Sequence, residues 1–368
     1  MIMEEIPLFN GVKTLLSEKF LAVVSEAELC TVSSAIHNGG FKRAKILLNV
    51  HVSESQDMME LHRDPVKPIL EVLKELEANP NEAVGMVTAA DVREYSMKTL
   101  ERNGLKVTAI ATAGCSFAEK AGDDIESRIL PNTGTINTII VIQGNPTESC
   151  MMQSFIAATE AKTSALMELD VRSRYSGDLA TGTITDSTII AATSTGPPIH
   201  YGGPASRLGK LVSQCTKVAV KGAIMKNGNL NPSRSILQRL SERRIPIDDM
   251  LQWLLRSKSA YINLEEFKFH LSSVIEKKPI LALFLMMAVK MDEDIKFGLK
   301  PKELGDLKIL KMEFEEFLAE ALNVESVQKG TCWCCDYPFL ESVLSCIVEK
   351  IRNDLNCGKE EGGNERSP

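Results

Sequence analysis

Strand-like segments are confined to the first part of the chain, and this change of pattern limits the possible folds most strongly. From about Ala35 to Ile224 the sequence is rich in Gly, Thr, Ala and β-branched residues, and strand-like segments alternate with helix-like ones. The stretch from Met225 to Ser235 is polar and turn-forming, and the chain beyond it has helical periodicity. The sequence therefore predicts four regions: a first domain at 1–225, a linker at 226–235, a helical domain at 236–355 and a disordered tail at 356–368.

The first domain has the elements of a layered fold. Runs of β-branched and apolar residues predict strands at Arg43–Val52, Glu82–Ala89, Leu105–Ala113, Thr135–Ile142 and Thr181–Thr193. Helical spacing predicts helices at Pro65–Ala78, Val92–Arg102, Glu148–Leu169 and Ser206–Ile224. Because strands and helices alternate imperfectly, we predict an α/β or α+β fold, with a mixed β-sheet layered with helices. In the second domain the same spacing predicts helices at Ile236–Lys258, Leu264–Glu276, Pro279–Lys290 and Leu307–Leu322.

Composition narrows the class of protein. The net charge of −7 and the sequence pI of about 5.5 argue against a nucleic-acid partner, which favours basic surfaces. Two glutamates precede the first apolar stretch, unlike a secretory signal, and the longest apolar run, Pro279–Val289, is too short to span a bilayer. We therefore expect a cytoplasmic protein without membrane insertion, in which the nine cysteines are reduced. The sequence does not define the oligomeric state, and a homo-oligomer stays among the alternatives.

Glycine lies together with Thr, Ser or Asn in five short clusters of the first domain, mostly beside predicted strands. Glycines at strand ends allow backbone N–H groups to approach a ligand closely, and Thr and Asn add donors and acceptors. One such cluster is often only a turn, but five in one domain suggest one shared site. The residues that we expect to bind substrate are Asn38, Gly39, Gly40, Thr112, Gly114, Gly134, Thr135, Asn137, Gly182, Thr183, Tyr201, Gly202 and Gly203, together with Lys162.

Asp186 is the single charged residue between Ala180 and Thr193. If this stretch is one strand, alternation places Asp186 on the same face as Ile184 and Ile190. A carboxylate on an apolar face requires hydrogen bonds or a cationic partner. It suits a general base or a substrate anchor, and the alternative is that it holds backbone N–H groups of a neighbouring loop.

Glu160 and Lys162 interrupt the predicted helix at Glu148–Leu169, which carries no charge between Glu148 and Glu160 and is therefore expected to be buried around most of its surface. Two positions on a helix differ by about 200° of rotation, so at most one of these side chains faces a given site. Glu160 is a candidate base. The alternative is that Glu160 pairs with a distant arginine while Lys162 extends to solvent.

Other chemistries have less support. The sequence contains no G-x-S-x-G, P-loop or H-E-x-x-H motif, and its five histidines lack zinc spacing. Cys115 could be a nucleophile, although a buried and inert thiol is the simpler interpretation. Cys332, Cys334 and Cys335 suggest either metal or redox chemistry or packing between helices.

The clusters, taken in order, resemble a known family. The segments SSAIHNGGF, GMVTAA, TAGCSFAEKAG, GTIN, ATEAKTSAL, ATGTITDS and YGGPASRLGKL are similar to adenosylcobinamide amidohydrolases of the CbiZ type. The resemblance extends from about Ala35 to Ile224 and leaves out the helical second half. Two positions depart from the family pattern: Ile184 replaces a glycine, and Phe117 replaces an asparagine.

The resemblance implies a reaction and a substrate. The family hydrolyses the amide between the aminopropanol arm and the corrin ring of adenosylcobinamide, which gives adenosylcobyric acid in corrinoid salvage for cobalamin synthesis. The partner is then a corrinoid small molecule, and no cofactor is expected, since cobalt enters only with the substrate. A non-catalytic corrinoid carrier, or a hydrolase of a different amide, stays open.

Amide hydrolysis requires a base or nucleophile, a polarised carbonyl and a proton for the leaving amine. Under the resemblance, Asp186 or Glu160 activates water, and His37 or Lys162 protonates the departing nitrogen. Backbone N–H groups at Gly134–Thr135 or Gly202–Gly203 would bind the oxyanion. Asn38 and Asn137 would suit the amide-bearing periphery of the corrin ring.

Overall fold

The computed structural model describes residues 4–52, 61, 63–124, 134–227, 230–257, 263–324 and 336–361. The chain divides into two compact units, one formed by residues 1–234 with 242–244 and the other by residues 235–241 with 245–368. The first unit contains the β-strands and the second is helical. The predicted fold class, a mixed sheet layered with helices and followed by a helical part, is confirmed.

The elements of the first unit have the following bounds. The strands are β1 (Glu4–Phe9), β2 (Val12–Leu16), β3 (Phe20–Ser33), β4 (Gly40–His51), β5 (Ala83–Thr88), β6 (Ser96–Arg102), β7 (Leu105–Ala113), β8 (Ala118–Glu119), β9 (Ile136–Gln143), β10 (Asn145–Pro146), β11 (Gly182–Thr183), β12 (Ser187–Ala192) and β13 (Pro198–Ile199). The helices are α1 (Lys67–Glu75), α2 (Glu148–Glu168) and α3 (Arg207–Lys226), with short 3₁₀ turns at Pro80–Glu82 and Val92–Glu94.

The main sheet runs in the order β1–β2–β3–β12–β9–β7–β6, and β4 and β5 continue from β3 as a branch. The pairs β9–β12 and β4–β5 are parallel, whereas the other neighbours are antiparallel. The pairing of β3 with β4 shifts between Val24 and Leu29. Beyond the end of β3, His37 forms a bridge with Gly85 of β5. The sheet is therefore curled, and the end of β3 returns to the branch.

The first unit has three apolar cores, and neighbouring residues of one strand point into different cores. In β9, Ile139 and Val141 pack in a core shared with β4 and β5, whereas Ile140 and Ile142 pack with α2 and α3. The opposite face of β4 and β5 packs on α1 in a third core that includes Ile69. The order of layers is thus α1, β4–β5, β9–β12 and then α2 with α3. Each fully buried aliphatic side chain of these cores contributes about 1.5–3 kcal/mol.

The structure differs from the predicted elements of this unit in three places. Val92–Arg102 is a 3₁₀ turn followed by β6, not a helix. The stretch Thr181–Thr193 is two strands, β11 and β12, since residues 184 and 185 form a turn between them. The N-terminal strands β1 to β3 had no counterpart among the predicted elements.

A group of buried arginines lies near the end of the first unit. Asp170 pairs with Arg172 at 2.7 Å and with Arg243 at 3.0 Å, and Arg234 pairs with Glu242 at 2.6 Å. The Arg234 side chain is only 2% exposed, so the residue is part of the folded unit although it lies within the predicted linker.

The second unit contains helices α4 (Ile236–Glu242), whose last residue is grouped with the first unit, α5 (Ile247–Ser257), α6 (Leu264–Lys277), α7 (Ile280–Lys296), α8 (Leu307–Leu322) and α9 (Pro338–Glu361), with a short 3₁₀ turn at Lys302–Leu304. The helix predicted at Ile236–Lys258 is divided at residues 243–246, where Arg244 has a positive φ of 57° and Pro246 follows. Helix α9 continues beyond residue 356, where the tail was predicted to begin. None of the helices described in the structure is long and apolar enough to cross a membrane.

Asp292 of α7 lies buried in the second unit and binds the beginning of α9. Its two carboxylate oxygens accept hydrogen bonds from the N–H groups of Phe339 and Leu340, at 3.1 and 2.9 Å. A carboxylate at a helix N-terminus satisfies backbone donors that have no partner within the helix. Burial nevertheless raises the pKa of Asp292 to about 7, because desolvation disfavours the charged form more than these hydrogen bonds favour it.

This raised pKa predicts a pH dependence of stability. The folded chain holds the Asp292 proton up to about pH 7, whereas an unfolded aspartate loses it near its ordinary pKa of 3.8. The stabilisation from the protonated group is complete below the unfolded pKa and is lost as pH rises through the folded pKa, at up to about 1.4 kcal/mol per pH unit. In thermal unfolding of the full chain between pH 4 and pH 8, the Tm of the wild type is expected to fall relative to that of Asp292→Asn as pH rises. A constant difference in Tm would contradict the prediction.

Candidate active site

The polar clusters of the sequence meet at one edge of the main sheet. The end of β7 lies beside the start of β9, because Ala113 pairs with Ile136. The start of β12 lies on the other side of β9, because Ser187 pairs with Asn137. The loops beyond these strands join where the Gly114 N–H donates to the Thr135 carbonyl at 2.9 Å.

Asp186 lies just before β12, and its carboxylate accepts four hydrogen bonds. Oδ1 accepts from the Ile136 N–H at 2.9 Å and from the Thr183 hydroxyl. Oδ2 accepts from the Thr183 N–H at 3.0 Å and from Lys162 Nζ at 2.5 Å. The single strand assumed for the parity argument is not formed, because a turn at residues 184 and 185 precedes Asp186 and β12 begins at Ser187. Its need for partners is met by a cation together with backbone donors.

Lys162 reaches Asp186 from helix α2. Both side chains are nearly buried, with exposed fractions of 13% for Lys162 and 12% for Asp186. The Lys162 ammonium has three N–H donors, and within the described part of the chain its hydrogen bond is to Asp186. The pair therefore fixes a positive charge at the sheet edge. The ammonium has further N–H groups that can donate to a ligand.

Gly182 leaves the space that this ion pair occupies. A Cβ atom at this position would lie 2.6 Å from Asp186 Oδ2 and 2.9 Å from Lys162 Nζ. Both distances are shorter than a van der Waals contact, so a larger residue at position 182 displaces one of the two groups.

A chain of buried polar side chains leads from this site into the core. The Thr135 hydroxyl donates to the Thr185 carbonyl at 2.9 Å and lies 3.3 Å from Asn137 Oδ1. Asn137 Nδ2 donates to Asn49 Oδ1 at 2.8 Å, and Asn49 Nδ2 donates to the Thr112 hydroxyl at 2.9 Å. Because Asn137 and Thr112 are this deeply buried, their side chains hold strands together rather than face open solvent.

Two titratable groups lie close to Asp186. Burial, and to a smaller extent the charge of Asp186, raises the pKa of Cys115 to about 12. This cysteine is therefore a neutral thiol at physiological pH. Burial, together with the charges of Asp186 and Asp123, raises the pKa of the Glu119 carboxyl, and Lys162 opposes this effect.

Among the described residues, neither His37 nor Glu160 forms a hydrogen bond or an ion pair with Lys162 or Asp186. His37 Nε2 lies 3.0 Å from the Pro80 carbonyl oxygen and so already has a hydrogen-bond partner at the surface. Glu160 lies on the exposed face of α2, together with Ile156, which is 53% exposed. The expectation that α2 is buried around most of its surface is therefore wrong.

The cluster Asn38–Gly40 forms the tight connection between β3 and β4. Asn38 has a positive φ of 53°, and its Nδ2 donates to the carbonyls of Pro80 and Ala83 at 2.9 and 2.8 Å. A Cβ atom on Gly39 would lie 2.3 Å from the Ala35 carbonyl oxygen, and Gly40 has a φ of 80°. These contacts account for the cluster as local structure.

The cluster Tyr201–Gly203 lies before α3 and lines a separate surface cleft of about 840 Å³, which Gln153 of α2 also lines. Gln153 Oε1 accepts a hydrogen bond from the Gly202 N–H at 2.8 Å, and Tyr201 is 74% exposed. Gln153 and Lys162 are nine positions apart, which places them on opposite sides of the helix. The shared site predicted for all five clusters therefore includes three of them at the Asp186 edge.

Glu119 and Asn49 are not among the site residues predicted from the sequence. Glu119 stands in the segment TAGCSFAEKAG, and its strand of two residues gives too short a pattern to recognise. Asn49 is a polar residue within the apolar strand β4, and that position was the available signal. Cys332, Cys334 and Cys335 lie outside the described residues, while Cys346 is buried in the helical core. Across the described parts of the chain, no three His, Cys, Asp or Glu residues are grouped to hold a metal ion.

Residues 8–232 match the CbiZ family, described as adenosylcobinamide amidohydrolase. The match covers more than half of the chain and includes the whole Asp186 site. The protein is therefore a hydrolase by family. It belongs to the adenosylcobinamide amidohydrolase family, and the resemblance seen in the sequence is confirmed.

Individual relatives are distant. A Methanosarcina mazei protein named adenosylcobinamide amidohydrolase is 27% identical over 202 residues, which cover 52% of this chain and 88% of that protein. An uncharacterized protein of Methanocaldococcus jannaschii is 28% identical over 178 residues, with coverage of 44% and 69% respectively. Among solved structures, a Burkholderia sp. β-aminopeptidase superposes with a TM-score of 0.33 at 11% identity, covering 62% of this chain and 87% of that one. An Ochrobactrum anthropi L-aminopeptidase D-Ala-esterase/amidase gives a TM-score of 0.27 at 11% identity, with coverage of 61% and 82%.

Proposed function

We propose that this protein hydrolyses the amide between the aminopropanol arm and the corrin ring of adenosylcobinamide, giving adenosylcobyric acid and aminopropanol. The observation that carries the proposal is the family match over residues 8–232, which contain a nearly buried cation–carboxylate pair at a strand edge. The reaction would serve corrinoid salvage for cobalamin synthesis, in the cytoplasm. It needs no resident cofactor, since cobalt enters with the substrate.

The Lys162–Asp186 pair suits two requirements of amide hydrolysis. A fixed ammonium can stabilise the negative charge that develops on the carbonyl oxygen, and it can do so without reorganisation, because Asp186 already orients it at 2.5 Å. Asp186 itself is held by the backbone N–H groups of Ile136 and Thr183. Asp186 therefore acts in this proposal as the anchor of Lys162.

The direct test is incubation of the purified full chain with adenosylcobinamide, followed by mass spectrometry for adenosylcobyric acid. Formation of this acid supports the proposal. Tight binding of adenosylcobinamide without product would favour a non-catalytic corrinoid carrier, which is the second candidate. Turnover of other amides but not of adenosylcobinamide would show a different hydrolase.

Asp186→Asn is expected to lower kcat by about a hundredfold or more, the loss typical when an electrostatic contact of a transition state is removed. An asparagine side chain carries an NH₂ group, which would face one of the four donors that now bind the carboxylate. Steady-state kinetics with adenosylcobinamide measure the effect. An unchanged kcat would remove Asp186 from the site.

A further inference from the structure

The water that attacks the amide needs a base, and Asp186 has no free position for it. A carboxylate offers about four lone-pair sites. Those of Asp186 are occupied by Ile136 N–H, Thr183 N–H, the Thr183 hydroxyl and Lys162. Asp186 would have to give up one of these bonds before it could accept a proton from water.

Glu119 is the second carboxylate at this place in the fold. Its strand β8 pairs with β11 in antiparallel fashion, and Glu119 lies directly opposite Gly182. Directly opposed residues of an antiparallel pair project from the same face. The Cβ direction of Gly182 points at Asp186 Oδ2 and Lys162 Nζ. The Glu119 side chain therefore leaves the two-stranded ribbon on the side of the ion pair.

The surroundings of Glu119 suit a group that exchanges protons. Among the contacts described for this chain, no hydrogen bond or ion pair occupies its carboxylate, and the residue is half-buried. The charges that act on it are those of Asp186, Asp123 and Lys162. Burial and the two acidic neighbours raise the pKa of the Glu119 carboxyl, whereas Lys162 lowers it, and such opposing influences on one carboxyl are common at catalytic sites.

We propose that Glu119 is the general base and acid of the hydrolysis, a role that rests on the proposed function. The Glu119 carboxylate takes a proton from water as the water oxygen bonds to the amide carbon. The tetrahedral intermediate then breaks its C–N bond, and Glu119 returns the proton to the departing nitrogen. The products are a carboxylic acid and an amine, and Lys162 stabilises the oxyanion between the two steps.

The test compares the full-length wild type with Glu119→Gln, Glu119→Asp and Glu101→Gln. Glu101 is an exposed residue of β6 and serves as the matched control. With adenosylcobinamide as substrate, Glu119→Gln is expected to lower kcat by about a hundredfold or more. It is also expected to abolish the acidic limb of the pH profile of kcat/KM, while corrinoid binding, followed by absorbance, stays unchanged. Glu119→Asp should restore part of the rate, and Glu101→Gln should match the wild type.

The failure of this inference is distinguishable from the failure of the proposed function. If the wild type forms adenosylcobyric acid and Glu119→Gln forms it at a similar rate, the role of Glu119 is overturned while the function stands. A slow Glu119→Gln variant that keeps the acidic limb would also overturn the role. Loss of the general base removes this limb, whereas loss of a purely structural residue leaves it in place. If the wild type does not turn over, both proposals fall.

Discussion

Under the proposed function, Lys162→Met is expected to abolish most of the turnover of adenosylcobinamide, and it is also expected to destabilise the chain. Methionine keeps the apolar stem of the lysine and removes the ammonium, so the oxyanion loses its cation and kcat is expected to fall by about a hundredfold to a thousandfold. Asp186 would then remain nearly buried without a counter-charge. Removing one partner of a buried pair costs about 3–5 kcal/mol, and the exposed fraction of 12% places the expected loss towards the lower end.

The matched control is Lys217→Met on helix α3. Lys217 also pairs with a carboxylate, that of Glu168, at 2.7 Å, but its side chain is 38% exposed. Exposed pairs contribute about 0–1 kcal/mol, so this variant should keep the Tm and kcat of the wild type. Thermal unfolding and steady-state kinetics of both variants measure the difference. A Lys162→Met protein as active as the Lys217→Met protein would contradict the role of Lys162, whatever its stability.

The fold was predictable from sequence where a pattern is long. The strand at Leu105–Ala113 and the helix at Leu307–Leu322 have their predicted bounds, because each element repeats its period several times. The segment Ser96–Arg102 shows the opposite case. It forms a hairpin with β7 through Asn103 and Gly104, both of which have positive φ. An Asn-Gly pair is the strongest local signal for such a hairpin, and in the structure it prevails over the helical spacing of the residues before it. The same Asn-Gly signal stands at Asn10–Gly11, between the strands β1 and β2.

The site was predictable in its residue types and less so in its geometry. Asp186 was recognised because a single charge in an uncharged stretch must find a partner. Lys162 could not be assigned as that partner, since the two residues approach through the packing of α2 on β11 and β12 rather than through any sequence spacing. Clusters of glycine likewise do not reveal their use. Gly39 and Gly40 allow a tight connection, whereas Gly182 makes room for an ion pair.

Gly182→Ala is expected to separate the Lys162–Asp186 pair while leaving the fold intact. The added Cβ atom would meet the ends of two side chains, at 2.6 Å from Asp186 Oδ2 and 2.9 Å from Lys162 Nζ, and such ends move more easily than backbone does. Lys162 then loses its fixed position, and a misplaced catalytic group can cost about a hundredfold in rate. Steady-state kinetics with adenosylcobinamide should show the loss in kcat, and circular dichroism should show unchanged secondary structure.

Gly144→Ala is the control for this variant, because it crowds apolar side chains at the other end of β9. Its Cβ would lie 3.1 Å from Ile199 and 3.2 Å from Leu105, where small shifts suffice and no charged group is affected. We expect the Gly144→Ala protein to turn over at nearly the wild-type rate. If Gly182→Ala did the same, the close approach at residue 182 would have no catalytic meaning, and the glycine would serve the short strand β11 alone. A loss confined to Gly182→Ala would show that the reaction depends on the distance between one ammonium and one carboxylate.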